Sequence, residues 1–244
     1  MPVVQEIIAK EENEISFLRS RGEIEDATYK GLDVLYFKPS SRDGYFYKSI
    51  VPKEKIALHY TAGYLGGDLG NLTRDNYHVS VPFVIAASGK IVQLFDPSYW
   101  SYHLTPGAVG GNERNSSRSV AIEMSNLGPL ERSGSWMWNY VGSKYCRASE
   151  TDFFVDLNES YRGYRYYAYF TDEQYQSLNR LLDVLCAEFG IPRTFLPEAN
   201  RYDLFPTASA ARNYRGICSH VNFQPPSVKQ DIGPAFRWDI IGAL

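Results

Sequence analysis

The sequence predicts an α/β domain, and three observations carry that expectation. Short apolar segments of strand length recur along the first half of the chain, a capped amphipathic helix occupies residues 171–189, and a looser amphipathic stretch covers residues 3–20. With 244 residues, 44% hydrophobic and 22% charged, the chain has ordinary globular composition and enough length to bury a sizeable core.

Taken in order, residues 3–20 set Val4, Ile7, Ile8, Ile15 and Leu18 on a broken apolar stripe. Leu32 to Phe37 and Tyr45 to Ile50 alternate apolar and polar residues about Pro39-Ser40-Ser41-Arg42-Asp43-Gly44, which predicts a hairpin with a long turn. Lys55 to Tyr60 reads as a buried strand that delivers His59 at its end. Val81 to Ala86 and Ile91 to Phe95 flank Ala87-Ser88-Gly89-Lys90, a second hairpin. Ser119 to Met124 is a short apolar strand carrying one carboxylate, Glu123. From Leu127 to Phe170 the chain is rich in Trp and Tyr without clear periodicity, which predicts a groove-forming loop region.

The helix at 171–189 has Thr171 and Gln174 as a capping box and Tyr175, Leu178, Leu181, Leu182, Leu185 and Phe189 as its apolar face. Gly190 and Pro192 close it. Without repeats or flexible linkers, the chain reads as residues 1–50, an N-terminal extension of helix plus hairpin, packed on a main domain at 51–244. Insertions fall near 129–168 and 195–216.

Composition narrows the function classes. A formal net charge of −3 supplies no basic footprint for phosphate contacts, so nucleic acid is not an expected partner. No run reaches transmembrane length, and Met1 to Glu14 lacks the charged start and apolar stretch of a secretory signal. The expected location is cytoplasmic as synthesised, with signal-independent export to the cell wall as the other route. Cys146, Cys186 and Cys218 are an odd number without metal-pair spacing, so no disulfide framework is expected. Cys218 stands two before His220, but a buried free thiol commonly serves as a small hydrophobe. The chain holds 19 Tyr, an amphipathic ring suited to sugar or peptide grooves and equally to partly exposed sheet faces.

Two distant segments look like halves of one zinc site: His59 at a strand end, and His220 followed by Asp231. Two imidazoles and a carboxylate leave a fourth position open for water, the arrangement of a hydrolytic zinc. His59 alone would read as a satisfied strand-end histidine, and Asp231 alone as a turn cap before Gly233-Pro234. Glu123 on an apolar strand is hard to explain structurally, because a buried carboxylate without a partner is costly.

The ordered series His59-Tyr60-Thr61-Ala62-Gly63, Val79 to Ile85, Gly89 to Leu94, Tyr102-His103, Asn115 to Glu123 and His220 to Phe236 resembles the zinc-dependent N-acetylmuramoyl-L-alanine amidases, which include phage lysozyme-like amidases and peptidoglycan-recognition proteins. The resemblance spans roughly residues 50–240. It implies a mixed central β-sheet flanked by helices, with zinc held by His59, His220 and Asp231. It also implies that Glu123 activates the attacking water and that Lys229 stabilises developing negative charge, while His103, with Tyr102 and Thr61, contacts substrate. The implied reaction cuts the amide between the lactyl group of N-acetylmuramic acid and L-alanine of the stem peptide, in peptidoglycan or a soluble muropeptide. Val81-Pro82 stands where phage-type members place a tyrosine, which puts more of the burden on Glu123. Two alternatives have the same fold: an inactive peptidoglycan-binding module, and a zinc amidase acting on another amide or peptide. His78 falls outside every motif and is expected to be structural or exposed.

Overall fold

A computed structural model describes residues 3–40, 42–225, 227 and 229–242. Met1, Pro2, Ser41, Pro226, Val228, Ala243 and Leu244 lie outside the described residues, and with them the ends of the expected domain bounds and one residue of the expected 39–44 turn.

In chain order the described elements are α1 (Val3–Ser20), β1 (Ile24–Tyr29), β2 (Leu32–Phe37), β3 (Lys55–Tyr60), α2 (Leu65–Leu72), β4 (Phe83–Ile85), β5 (Ile91–Gln93), α3 (Asn112–Ser117) and β6 (Ser119–Met124). Then follow β7 (Pro129–Ser133), β8 (Trp136–Asn139), β9 (Lys144–Arg147), β10 (Phe154–Tyr161), β11 (Tyr164–Ala168), α4 (Asp172–Phe189), α5 (Ala208–Asn213) and β12 (Gly216–Ser219). Among the described residues, seven strands form a mixed sheet in the order β1-β2-β5-β4-β6-β3-β12. Its middle is parallel, with β12 on β3, β3 on β6 and β4 on β6 all aligned in direction.

The two faces of this sheet are covered by different helices, and strand alternation sorts the residues between them. Ile56, Leu58 and Tyr60 of β3 and Val120, Ile122 and Met124 of β6 pack with Tyr175, Leu178, Leu181, Leu182 and Leu185 of α4. The opposite face sets Leu35, Val84, Val92 and Ala121 against Ile15 and Leu18 of α1 and Leu65 and Leu69 of α2. His59 and Glu123, one position out of phase with the α4-facing residues, therefore belong to this second face.

Local chemistry fixes the helices as the sequence predicts. Thr171 Oγ1 accepts from Gln174 N, and Gln174 Oε1 accepts from Thr171 N, each at 3.1 Å. Gln174 also reaches the carbonyls of Ile85 and Ser125, tying the start of α4 to the ends of β4 and β6. Helix α1 is anchored through Glu11, whose carboxylate accepts from Ala87 N (2.8 Å) and Ser88 N (3.0 Å) in the β4–β5 turn. Cys218 is buried with its thiol on the Ile56 carbonyl, in keeping with a packing role. His78 stacks on Tyr47 at 4.1 Å, outside the site described below.

Two expectations need correction. The first hairpin is not Leu32–Phe37 with Tyr45–Ile50; β2 pairs instead with β1. Lys30 and Gly31 make the turn with φ of 48° and 84°, the left-handed pair whose twist matches antiparallel strands. The segment 45–50 retains one bridge, Tyr47 to Trp100, and is held by side chains: the Tyr45 hydroxyl donates to Leu94 O (3.0 Å) and Phe46 stacks on Phe95 at 4.6 Å. Second, the stretch from 127 to 170 is not a loop region. It forms a five-stranded antiparallel sheet, β10-β11-β7-β8-β9, packed through Leu127, Leu130, Met137, Cys146 and Ala168 against Val3 and Ile7 of α1. Its outward side mixes exposed charged residues such as Glu131, Arg132, Lys144, Arg147 and Arg165 with half-buried Trp and Tyr, which blurs the two-residue period that marks a half-buried strand.

Candidate metal centre

Adjacent parallel strands carry the site residues to one level. In the β3–β6 register His59 stands beside Glu123, and Ser219 of β12 stands beside Leu58, so His220 follows next to His59. All three lie at the carboxyl ends of parallel strands, where open α/β sheets bind ligands. His220 begins a single 3-10 turn whose cap is closed by Asn222 Oδ1 accepting from Ser219 N (2.8 Å). The chain then returns, and Val221 N donates to Asp231 O at 2.9 Å, which closes the loop between the two residues.

Three donor atoms converge. His59 Nδ1 lies 3.0 Å from His220 Nδ1 and 3.1 Å from Asp231 Oδ2, and His220 Nδ1 lies 3.0 Å from the same oxygen. All three residues are buried, at 1%, 2% and 6% exposure. Zinc bonds of about 2.0–2.1 Å imply ligand-to-ligand edges of roughly 3.3 Å, close to this triangle. Protons cannot satisfy the triangle equally well. Two N–H groups pointing at Asp231 would face each other at 3.0 Å, whereas three lone pairs converging is what a cation requires.

The surroundings set the same protonation pattern. His59 Nε2 lies 3.0 Å from His103 Nδ1; with its proton on Nε2, His59 keeps a free lone pair on Nδ1. Burial pushes the His59 imidazole down to about 4, only partly offset by its bond to Asp231, so the ring is neutral at neutral pH. His103 is likewise driven well below the usual histidine range by burial and by the neighbouring His59 and His220. For Asp231, burial would raise the carboxyl, but His220 beside it and the hydrogen bonds from both imidazoles outweigh it and hold the group well below the usual range.

Glu123 is the second feature of the site. Its Oε2 is enclosed without a hydrogen-bond partner among the described residues, although the residue as a whole is partly exposed. Burial, then the negative charges of Asp231 and Asp68, push its carboxyl well above the usual range, with Lys229 opposing. Lys229 is half-buried, and its positive charge is felt at both Glu123 and His59.

Residues 51–234 match the family described as N-acetylmuramoyl-L-alanine amidase. The chain belongs to that family. Among solved structures, the E. coli N-acetylmuramyl-L-alanine amidase AmiD, in complex with anhydro-N-acetylmuramic acid-L-Ala-D-gamma-Glu-L-Lys, aligns over 88% of this chain and 64% of its own, at 20% identity and a TM-score of 0.50. That likeness shows the fold, and this chain spans less than two thirds of the AmiD chain. A selenomethionine derivative of AmpD aligns over 82% of this chain and 96% of its own (16% identity, TM-score 0.41). The endolysin amidase LysCS from Clostridium intestinale URNW aligns over 78% and 81% (14% identity, TM-score 0.39). No curated protein matches the chain in sequence. No described helix is long and apolar enough to cross a membrane.

Within this chain, the residues expected to contact substrate are spread out. His103 is buried behind His59 as its hydrogen-bond partner. Thr61, two residues past His59, lines a cleft of about 340 Å³ between the end of β3, α1 and α2, bordered by Lys10, Glu14, Asp68 and Tyr140. The three converging donors do not line that cleft. Tyr102 lies in a partly exposed aromatic group, edge-on to Trp100 at 5.3 Å and to Tyr47 at 6.0 Å. Two residues that sequence reading passed over are close to the centre. Arg162 hydrogen-bonds to carbonyls of the loop between His220 and Asp231, and Tyr161 feels the charge of Asp231. The Arg162-Gly163 pair between two Tyr-rich runs was the turn signal that would have located them.

Proposed function

We propose that the protein is a zinc-dependent N-acetylmuramoyl-L-alanine amidase, hydrolysing the amide between the lactyl group of N-acetylmuramic acid and the L-alanine of the stem peptide. One observation carries the reading: the convergence of His59 Nδ1, His220 Nδ1 and Asp231 Oδ2 at 3.0–3.1 Å inside the segment that matches the family. These three residues would hold the ion.

With zinc bound, the site gains Lewis acidity toward a carbonyl oxygen and a water acidified to a pKa of about 7. The remaining work falls to side chains. Glu123, level with His59 on the neighbouring strand and raised in pKa, is suited to take the proton of the attacking water and return it to the leaving amine. Lys229 supplies positive charge for the oxyanion that develops on the carbonyl oxygen. His103 fixes the ring of His59 by accepting from Nε2. Peptidoglycan or a soluble muropeptide is the substrate class.

The test incubates purified protein with peptidoglycan and with soluble muropeptides, with and without a chelator, and identifies products by mass. Release of free stem peptide, abolished by chelator and reduced by about 10²–10⁴ in Glu123→Gln, is the expected result. Intact substrate from protein carrying one zinc per chain would overturn it in favour of a binding module or a different amide.

A further inference from the structure

The five-stranded sheet reaches the metal centre through one tight turn. Strands β10 and β11 pair Tyr161 with Tyr164 across Arg162 and Gly163, whose φ values are 50° and 93°. This two-residue turn of the left-handed type projects the Arg162 side chain away from its own sheet and into the loop between His220 and Asp231. There the guanidinium donates to four backbone carbonyls. Nη1 bonds to Gln224 O at 3.5 Å and, more closely, to Lys229 O; Nη2 bonds to Tyr202 O at 3.3 Å and Val221 O at 3.4 Å.

The identity of those carbonyls matters. Val221 follows His220 directly and Lys229 precedes Asp231 by two, so a single side chain grips the loop beside both of its ligand residues. The same turn closes on the loop from a second side. Tyr161 lies edge-on to Tyr202 at 5.8 Å, and a Cβ on Gly233 would come within 2.6 Å of the Tyr161 ring. Glycine at 233 lets the turn approach this closely.

We propose that Arg162 is a positioning residue of the metal centre: its guanidinium holds the 220–231 loop so that His220 and Asp231 meet His59 in the geometry an ion needs. The proposal rests on the zinc reading above. Arginine suits the task because its five N–H donors form a rigid planar fork, whereas a lysine ammonium is a compact point with three donors. Nothing in this role touches substrate. The five-stranded sheet thus contributes to the site through second-layer hydrogen bonds, the kind that typically change metal affinity by about 10–100-fold.

Zinc affinity by chelator competition, measured on wild type, Arg162→Ala, Arg162→Lys and Arg165→Ala, tests the proposal. Arg165 is the control, because it sits on the same hairpin but forms an exposed two-point pair with Asp156 at 2.6 and 2.7 Å. Arg162→Ala is expected to weaken zinc binding by about 10–100-fold with Arg162→Lys recovering little, while Arg165→Ala stays within about twofold of wild type. Hydrogen exchange on the metal-free proteins provides a readout without zinc: the 220–231 segment should lose protection in Arg162→Ala and keep it in Arg165→Ala. If Arg162→Ala does not fold, Arg162→Lys carries both measurements. Affinity within twofold of wild type in the Arg162 variants, or equal losses in the Arg162 and Arg165 variants, would overturn the proposal. A wild type that binds no zinc would instead sink the zinc reading, and the exchange difference in metal-free protein would separate that outcome from failure of the clamp.

Discussion

Strand β3 buries all six of its residues, from Lys55 to Tyr60, whereas β10 of the five-stranded sheet buries none of its eight. β3 lies between two covered faces, so each of its side chains is enclosed and a polar one there needs a reason. That is why His59, and Glu123 on the neighbouring strand, stand out in sequence. The five-stranded sheet has one packed side, so Trp, Tyr and charged residues mix on it with little constraint. A residue that serves the metal centre from that sheet, such as Arg162, carries no mark in the sequence beyond the glycine after it.

The sharpest way to separate the two regions is to remove a donor from the central sheet. His59→Ala is expected to weaken zinc binding by more than about 100-fold, beyond the range of second-layer changes, and to abolish hydrolysis. Metal analysis after dialysis checks it, and retention of one zinc per chain would break the assignment. Next in size is a packing contrast. Leu182→Ala in α4, fully buried against the central sheet, should cost about 2–5 kcal/mol, while Val141→Ser at an exposed turn of the five-stranded sheet should stay within about 0.5 kcal/mol. Denaturant unfolding of the two variants measures the difference, and similar midpoints would contradict it.

A third comparison concerns pH. Asp68 is buried between α2 and the end of β6, its Oδ2 accepting from Ser125 Oγ at 2.8 Å, and burial pushes its carboxyl up to about 7. A folded-state pKa raised above the unfolded value of about 3.9 contributes stability that is full below that value and lost as pH rises through about 7. Wild type should therefore lose more stability than Asp68→Asn between pH 4 and pH 8. Thermal unfolding at the two pH values reads this directly, and parallel profiles would show that Asp68 does not titrate in this range.

Legibility in the sequence followed local signals. The boundaries of β3, β6 and α1 and the cap of α4 emerged from apolar runs and from the Thr171–Gln174 box, because those elements are fixed by residues within one or two turns of each other. The partner of β2 was misread because a Lys-Gly turn of two residues is a weaker signal than the Pro- and Gly-bearing stretch at 39–44. The five-stranded sheet was missed although most of its strands pair through short turns, because half-buried Trp and Tyr mixed with charged residues leave no clean two-residue period.

The sequence by itself determined the chemical inventory: two histidines, one aspartate and one glutamate in ordered segments, and the α/β character that carries them. Tertiary structure decided what those groups do to one another. Parallel register set His220, His59 and Glu123 side by side, and burial neutralised His59 and raised Glu123. The fold of residues 127–170 brought Arg162 to the carbonyls beside His220 and Asp231. Register, desolvation and backbone contacts between distant segments depend on through-space geometry, which residue order constrains only through the completed fold.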